Sequence, residues 1–211
     1  MALLTRTTAM PASSFSLPAR TTCPGATFSP GSVCAACYAD RRGRYRFPAV
    51  RDAQARRLAW TTQALATGRF APTLIERISS LGERYFRLHD SGDFFSAAYV
   101  DAWTTIAHVL PDVRFWAPTH SWAIHGRQRT DGDPLLEALR RLDALPNVTV
   151  RPSAIRIGDA PPVLPGLSAG SAVTTDPATA TCPKSLRTPS NCGPCRHCWD
   201  ESLVPVTYLK H

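Results

Sequence analysis

A chain of 211 residues, 44% of them hydrophobic, is long enough to bury its own core, so it needs no disulfide framework to hold it together. The opening stretch MALLTRTTAMPASSFSLPAR has no apolar run long enough for a secretory leader, and no later segment approaches a membrane span, so a cytoplasmic protein is expected. The formal charge of +8, carried by arginine apart from Lys184 and Lys210, points to an anionic partner such as a nucleotide or nucleic acid, with a solvated basic helix face as the plainer alternative.

Residues 1–22, rich in Ser, Thr and Pro, read as an irregular lead-in with one short strand near Ser14–Leu17. The stretch TCPGATFSPGSVCAACYAD follows, a Gly- and Pro-containing loop that carries Cys23, Cys34 and Cys37. A C-x-x-C pair lets two thiolates reach one metal from a single turn. Three soft thiolates suit zinc or an iron–sulfur cluster and leave one metal position for water, substrate or a cofactor. Arg41, Arg42, Arg44, Arg46, Arg51, Arg56 and Arg57 crowd in behind them. From Pro48 to Gly68 the spacing predicts a helix burying Val50, Ala53, Leu58 and Leu65, and a second helix near Pro72 turns Leu74, Ile75 and Ile78 inward. RYFRLHD then reads as a strand and HDSGDFFS as a sharp turn at Gly92. Ser96 is placed to cap a helix with a stripe of Tyr99, Val100, Trp103, Ile106 and Leu110.

The unit repeats. VRFWAP is a second strand, THSWAIHGRQRTDG a long loop, and Asp133-Pro134 opens a helix carrying Leu135, Leu136, Leu139 and Leu142. NVTVRPSAIRI is a third strand interrupted at Pro152, SAVTT a fourth, and LVPVTYLKH a closing strand. This alternation predicts an α/β fold, either a partial (βα)6 barrel or an open parallel sheet, with a cysteine-rich C-terminal metal-binding segment. The expected divisions are the lead-in 1–22, an α/β core 23–175 and a cysteine-rich segment with its strand, 176–211.

In parallel α/β folds the ligand gathers at the carboxyl ends of the strands. Two stretches fit that position: His89, Asp90, Ser91, Gly92 and Asp93, whose carboxylates suit an ammonium or a ribose hydroxyl, and Thr119, His120, Ser121 and Trp122. Asp, Ser and Gly are also ordinary turn formers, and a lone His120 or His125 is more often a surface group than a ligand. Near the C terminus stand Cys182, Cys192, Cys195 and Cys198. Their C-x-x-C-x-x-C run matches the start of ferredoxin cluster loops, which favours a second [4Fe–4S] cluster over zinc at that site, with His197 as a substitute ligand. Seven cysteines in two tight groups read as metal ligation in a reducing compartment.

TCPGA, VCAACYA, HDSGDFFSAAYVDAW, FWAPTHS and the terminal C-x-x-C-x-x-C-W together resemble the gene-product-88 proteins of actinobacterial phages, from Phe15 onward. The resemblance implies a phage or prophage context. The layout also distantly resembles radical S-adenosylmethionine enzymes, which have a partial (βα)6 barrel and a three-cysteine loop after the first strand. That resemblance implies a [4Fe–4S] cluster on Cys23, Cys34 and Cys37. It implies that Ser91, Gly92 and Asp93 hold the amino group of S-adenosylmethionine, that Thr119 or Ser121 meets its ribose, and that an electron-donor protein supplies reduction. The sequence departs from that pattern in the ten residues between Cys23 and Cys34, in Ala36 where an aromatic residue is usual, and in Asp93 and Phe94 where the pattern has Glu and Pro. Two functions are therefore expected as alternatives: an iron–sulfur enzyme of this type acting on a nucleotide or nucleic acid, or a non-catalytic zinc-stabilised nucleic-acid-binding or interaction protein.

Overall fold

The computed structural model describes residues 2–6, 10–40, 42–187, 191–200 and 202–210; Arg41 of the basic run lies outside them. The chain opens with an antiparallel hairpin, β1 (Leu4–Arg6) and β2 (Ser13–Phe15). After the cysteine loop come α1 (Pro48–Ala66), α2 (Phe70–Ser79) and β3 (Tyr85–Leu88). Next are α3 (Ala97–Val109), β4 (Arg114–Thr119) and a small hairpin of β5 (Ala123–Ile124) and β6 (Arg127–Gln128). α4 (Pro134–Asp143) and β7 (Val148–Pro152) complete the main sheet. The remainder holds β8 (Ser171–Thr174), two four-residue helices, α5 (Pro183–Leu186) and α6 (His197–Asp200), and β9 (Val206–Leu209).

The main sheet has the order β1-β2-β3-β4-β7, and β2, β3, β4 and β7 run parallel in chain order. Right-handed connections between such strands bring every crossover helix to the same face. One core cluster accordingly joins Phe15, Phe86, Leu88, Phe115, Ala117, Val148 and Val150 of the strands to Phe70, Leu74, Ile78, Trp103, Ile106, Leu139 and Leu142 of the helices. The caps expected from the sequence form: Ser96 accepts from the Tyr99 amide, and Asp133, followed by Pro134, accepts from the Leu135 and Leu136 amides.

The opposite face carries the register row Ser14, Arg87, Trp116 and Thr149 and is covered by the C-terminal segment. Trp199 of α6 is buried there, its ring 5.1 Å from that of Trp116, and its indole N–H donates to the Phe86 carbonyl at 2.9 Å. Arg151 of β7 is fully buried on the same side. Its guanidinium donates to the carbonyls of Ala169, Val204 and His197, each at 2.7 Å, and to that of Cys198 at 3.4 Å.

Four expectations change. The stretch 1–22, expected as an irregular lead-in with one short strand, supplies two strands, and β2 stands inside the main sheet between β1 and β3. The buried side of α1 is Gln54, Arg57, Thr61 and Ala64, while Val50, Ala53, Leu58 and Leu65 are only partly covered. The helix lies over the point where β2 runs out of partners, and long polar side chains reach carbonyls there that aliphatic ones would leave unsatisfied: Gln54 donates to Leu17 O and Arg57 to Ser16 O. The stretch expected as a long loop contains a hairpin, turned at His125 and Gly126 with φ of 49° and 79°, the two positive values of a type I′ turn. Finally, β9 does not close the main sheet. It pairs in parallel with β8, which touches the end of β7 through a single parallel bridge, Ser153 to Ser171, beyond the ladder-ending Pro152. The sheet is thus mostly parallel and unclosed, and β8 from the expected core pairs with β9 from the expected C-terminal segment.

Candidate functional site

The cysteine loop crosses the carboxyl ends of the parallel strands. Leu17 takes a backbone hydrogen bond to Ser91 O, the His125 amide donates to Pro24 O, and the Val33 amide donates to Ile155 O. Gly25 sets the approach: a Cβ there would sit 1.7 Å from the His120 carbonyl oxygen, so only glycine lets the loop lie flat on the end of β4. Ser32 accepts from the Ala35 amide and donates to Thr27 O, fixing the turn that presents Cys34 and Cys37.

Cys23, Cys34 and Cys37 are half-buried free thiols in one electrostatic neighbourhood. Burial pushes all three up, Cys34 to about 12. The Asp93 carboxylate and the other thiols add to this at Cys23, and Cys37 and Asp93 do so at Cys34. Cys34 Sγ lies 4.0 Å from His120 Nδ1, while His120 Nε2 is 3.0 Å from Ala154 O. Among the described residues no three His, Cys, Asp or Glu side chains are gathered closely enough to hold a metal ion. The donor set therefore fits a soft metal in kind and in neighbourhood, with its sulfur atoms not drawn together. Partial burial disfavours the thiolate form at all three, and ligation would exchange thiol protons for the cation.

The residues expected to meet a cofactor lie directly beneath this loop, bonded to one another. Asp93 accepts from the Phe94 amide at 2.8 Å and the Thr119 hydroxyl at 2.6 Å through Oδ1, and from the His120 amide at 2.8 Å through Oδ2. Thr119 in turn accepts from the Ser121 amide, and Ser121 donates to Phe94 O at 2.7 Å. Burial raises the Asp93 carboxyl above the usual carboxylate range against the pull of these donors. Ser91 donates to Leu17 O at 2.8 Å and accepts from Gln54. Gly92 has φ +77°, and a Cβ there would meet Thr22 Oγ1 at 2.6 Å and Leu17 Cβ at 2.7 Å. Ser91, Gly92, Asp93, Thr119 and Ser121 thus lock the ends of β2, β3 and β4 together under the thiols. The neighbouring Asp90 accepts from Tyr45 and pairs with Arg44 and Arg87, and Tyr38 donates to its carbonyl. His89, at φ +64°, is buried with Nε2 2.9 Å from the Tyr99 hydroxyl, and burial holds its imidazole down to about 3.

The late cysteines lie against the other face. Cys182 is buried, and Cys192 and Cys198 pack beside Trp116, Trp199 and Tyr208. Burial and Cys182 raise Cys192, and Cys195 adds to it. Burial, with Cys182 adding to it, lifts Cys198 to about 11, against the pull of the Tyr208 hydroxyl at 3.5 Å and the charge of Arg151. The metal finding covers this set as well. Among the described residues no ring hydrogen bond brings His197 or His125 into either group, and the His197 carbonyl serves Arg151. Arg151 and Gln54 are the residues that sequence reasoning missed. An arginine inside a fully buried strand with no other charge, two positions beyond Thr149, was the readable signal of a buried charge.

A family model described as Gene product 88 matches residues 2–201. The Gene 88 protein of Mycobacterium phage L5 is 53% identical over 36 residues, 17% of this chain and 15% of that protein. The Gene 88 protein of Mycobacterium phage D29 is 50% identical over a stretch of the same length and coverage, so the aligned part spans about a seventh of these relatives. No solved structure matches. With the family match running from the first hairpin through α6, the chain belongs to the gene-product-88 family.

Proposed function

We propose that this chain is an iron–sulfur enzyme of radical S-adenosylmethionine type acting on a nucleotide or nucleic acid. The observation that carries the reading is the place of the three thiols: on the loop after the first parallel strand, over the strand carboxyl ends, beside Asp93 and His120. Strand order supports it. β2, β3, β4 and β7 are parallel in chain order, and β8, bridged once in parallel to the end of β7, pairs in parallel with β9, a run of parallel strands of the kind the reading requires.

Cys23, Cys34 and Cys37 would hold a [4Fe–4S] cluster, and Cys182, Cys192, Cys195 and Cys198 a second cluster or zinc. When bound, the first cluster with S-adenosylmethionine supplies one-electron chemistry, driven by an electron-donor protein. The chain's own residues hold the geometry: Asp93, Thr119 and Ser121 fix two strand ends against each other, and Gly92 and Gly25 let the loop approach them closely. Arg44 and Arg87 share the one carboxylate of Asp90, and the cation in excess there would suit an anionic substrate. No helix among the described residues is long and apolar enough to cross a membrane, and the host cytoplasm is the proposed location.

The test is turnover of S-adenosylmethionine by anaerobically reconstituted, reduced protein. Release of 5′-deoxyadenosine that disappears in Cys34→Ser supports the reading. Absence of release from protein loaded with iron refutes it, and a zinc-only protein whose DNA affinity falls steeply with salt would establish the binding module instead.

A further inference from the structure

A cavity of about 420 Å³ opens between the N-terminal hairpin and α1, and none of the cysteines is in its lining. Its lining combines the apolar Leu4, Val50 and Ala53 with the cationic Arg44, Arg56 and Arg57. Its volume lies within the roughly 300–1,000 Å³ of small-molecule sites.

Arg57 is the unusual member. It is only 2% exposed, its Nη1 donates to Ser16 O at 2.6 Å and its Nη2 to Ala2 O at 3.3 Å, yet its Nε has no partner. Among the described residues no carboxylate is in ion-pair reach of it, and the carboxylate that pairs with neighbouring Arg44 is shared with Arg87. A buried cation without an anion is costly, and burial together with the like charge of Arg44 lowers its proton affinity. Guanidinium groups match phosphate oxygens by paired hydrogen bonds, and the aliphatic wall suits an organic group attached to them.

We propose that this cleft binds an organic phosphate of nucleoside-monophosphate type, its phosphate taken by Arg56 and Arg44 with the buried charge of Arg57 behind them, and its organic part lying against Leu4, Val50 and Ala53. The cleft is lined by none of the cysteines and shares only Arg44 with the enzyme reading; AMP binding is read without metal loading, so the two readings fail separately.

Isothermal titration calorimetry on the full chain as purified, with AMP, inorganic phosphate and adenosine as separate probes, tests this. AMP should bind at one site per chain, at least tenfold more tightly than phosphate or adenosine. Arg56→Gln should weaken AMP about fivefold. Ala53→Leu, which fills the space beside the apolar lining without touching charge, should weaken AMP at least tenfold and phosphate little; neither position belongs to the buried side of α1. No AMP binding, adenosine binding as tightly as AMP, phosphate binding as tightly as AMP, or AMP binding unchanged in both variants would each overturn the proposal.

Discussion

Replacing Arg151 with methionine tests what holds the C-terminal segment onto the sheet. Methionine keeps most of the aliphatic volume and removes the donors, leaving the Ala169, Val204 and His197 carbonyls, each bonded at 2.7 Å, without their partner. A hydrogen bond from a charged donor is worth about 1.5–3 kcal/mol, and stranding a buried acceptor costs about 1–3 kcal/mol. Release of the guanidinium's own desolvation penalty offsets part of that sum, and loss of one partner of a buried charged network typically amounts to about 3–5 kcal/mol. We therefore expect a loss of about 4 kcal/mol by urea denaturation. Hydrogen exchange should accelerate first at the amides of α6 and β9, because these elements are tied to β7 through this side chain, and the emission of Trp199 should shift red. Arg151→Lys keeps the charge but reaches fewer carbonyls, so about half the loss is expected. A loss under about 1 kcal/mol, with Trp199 still protected, would refute the assignment of Arg151 as the anchor.

Gly25→Ala places a methyl group 1.7 Å from the His120 carbonyl, so the cysteine loop must lift; a loss of about 3 kcal/mol or more and faster alkylation of Cys34 by iodoacetamide are expected, against unchanged alkylation if the loop does not rest there. Asp93→Ala strands the Thr119 hydroxyl and the His120 and Phe94 amides, for an expected loss of about 3 kcal/mol in the same denaturation assay. His89 gives a pH signature: its folded-state value of about 3 lies below the ordinary histidine range, so between these the unfolded chain binds a proton that the folded chain excludes. Stability should rise with pH across that window by up to about 1.4 kcal/mol per unit, and His89→Asn, which tolerates the left-handed backbone, should remove this part of the slope; an unchanged slope would show that His89 is not the group.

The alternation of strands and helices was legible because its punctuation is local. Ser96 and Asp133-Pro134 cap helices through their own amides, and Gly92 adopts the positive φ that a strand-to-helix turn demands. The inward side of α1 was not legible, since its buried positions are filled by Gln54, Arg57 and Thr61, and apolar periodicity points away from them. Gln54 and Arg57 are inside because of the Leu17 and Ser16 carbonyls just past β2, a tertiary cause with no local trace. The same holds for β9, whose composition suits any sheet edge and whose partner is set by where β8 arrives. At the site, residue types and strand-end positions were readable, and so were the two cysteine groups. The mutual bonding of Asp93, Thr119 and Ser121 was not, because it joins loops 26 residues apart in the chain.

The central claim is that Cys23, Cys34 and Cys37 act together as the ligands of one redox-active centre. Iron and sulfide analysis with an absorption spectrum, on anaerobically reconstituted wild type and on the Cys23→Ala, Cys34→Ala, Cys37→Ala triple variant, tests it most directly. The account predicts a brown wild-type protein that loses about four irons per chain in the triple variant. A colourless wild type, or a triple variant with the same iron and the same spectrum, would contradict it.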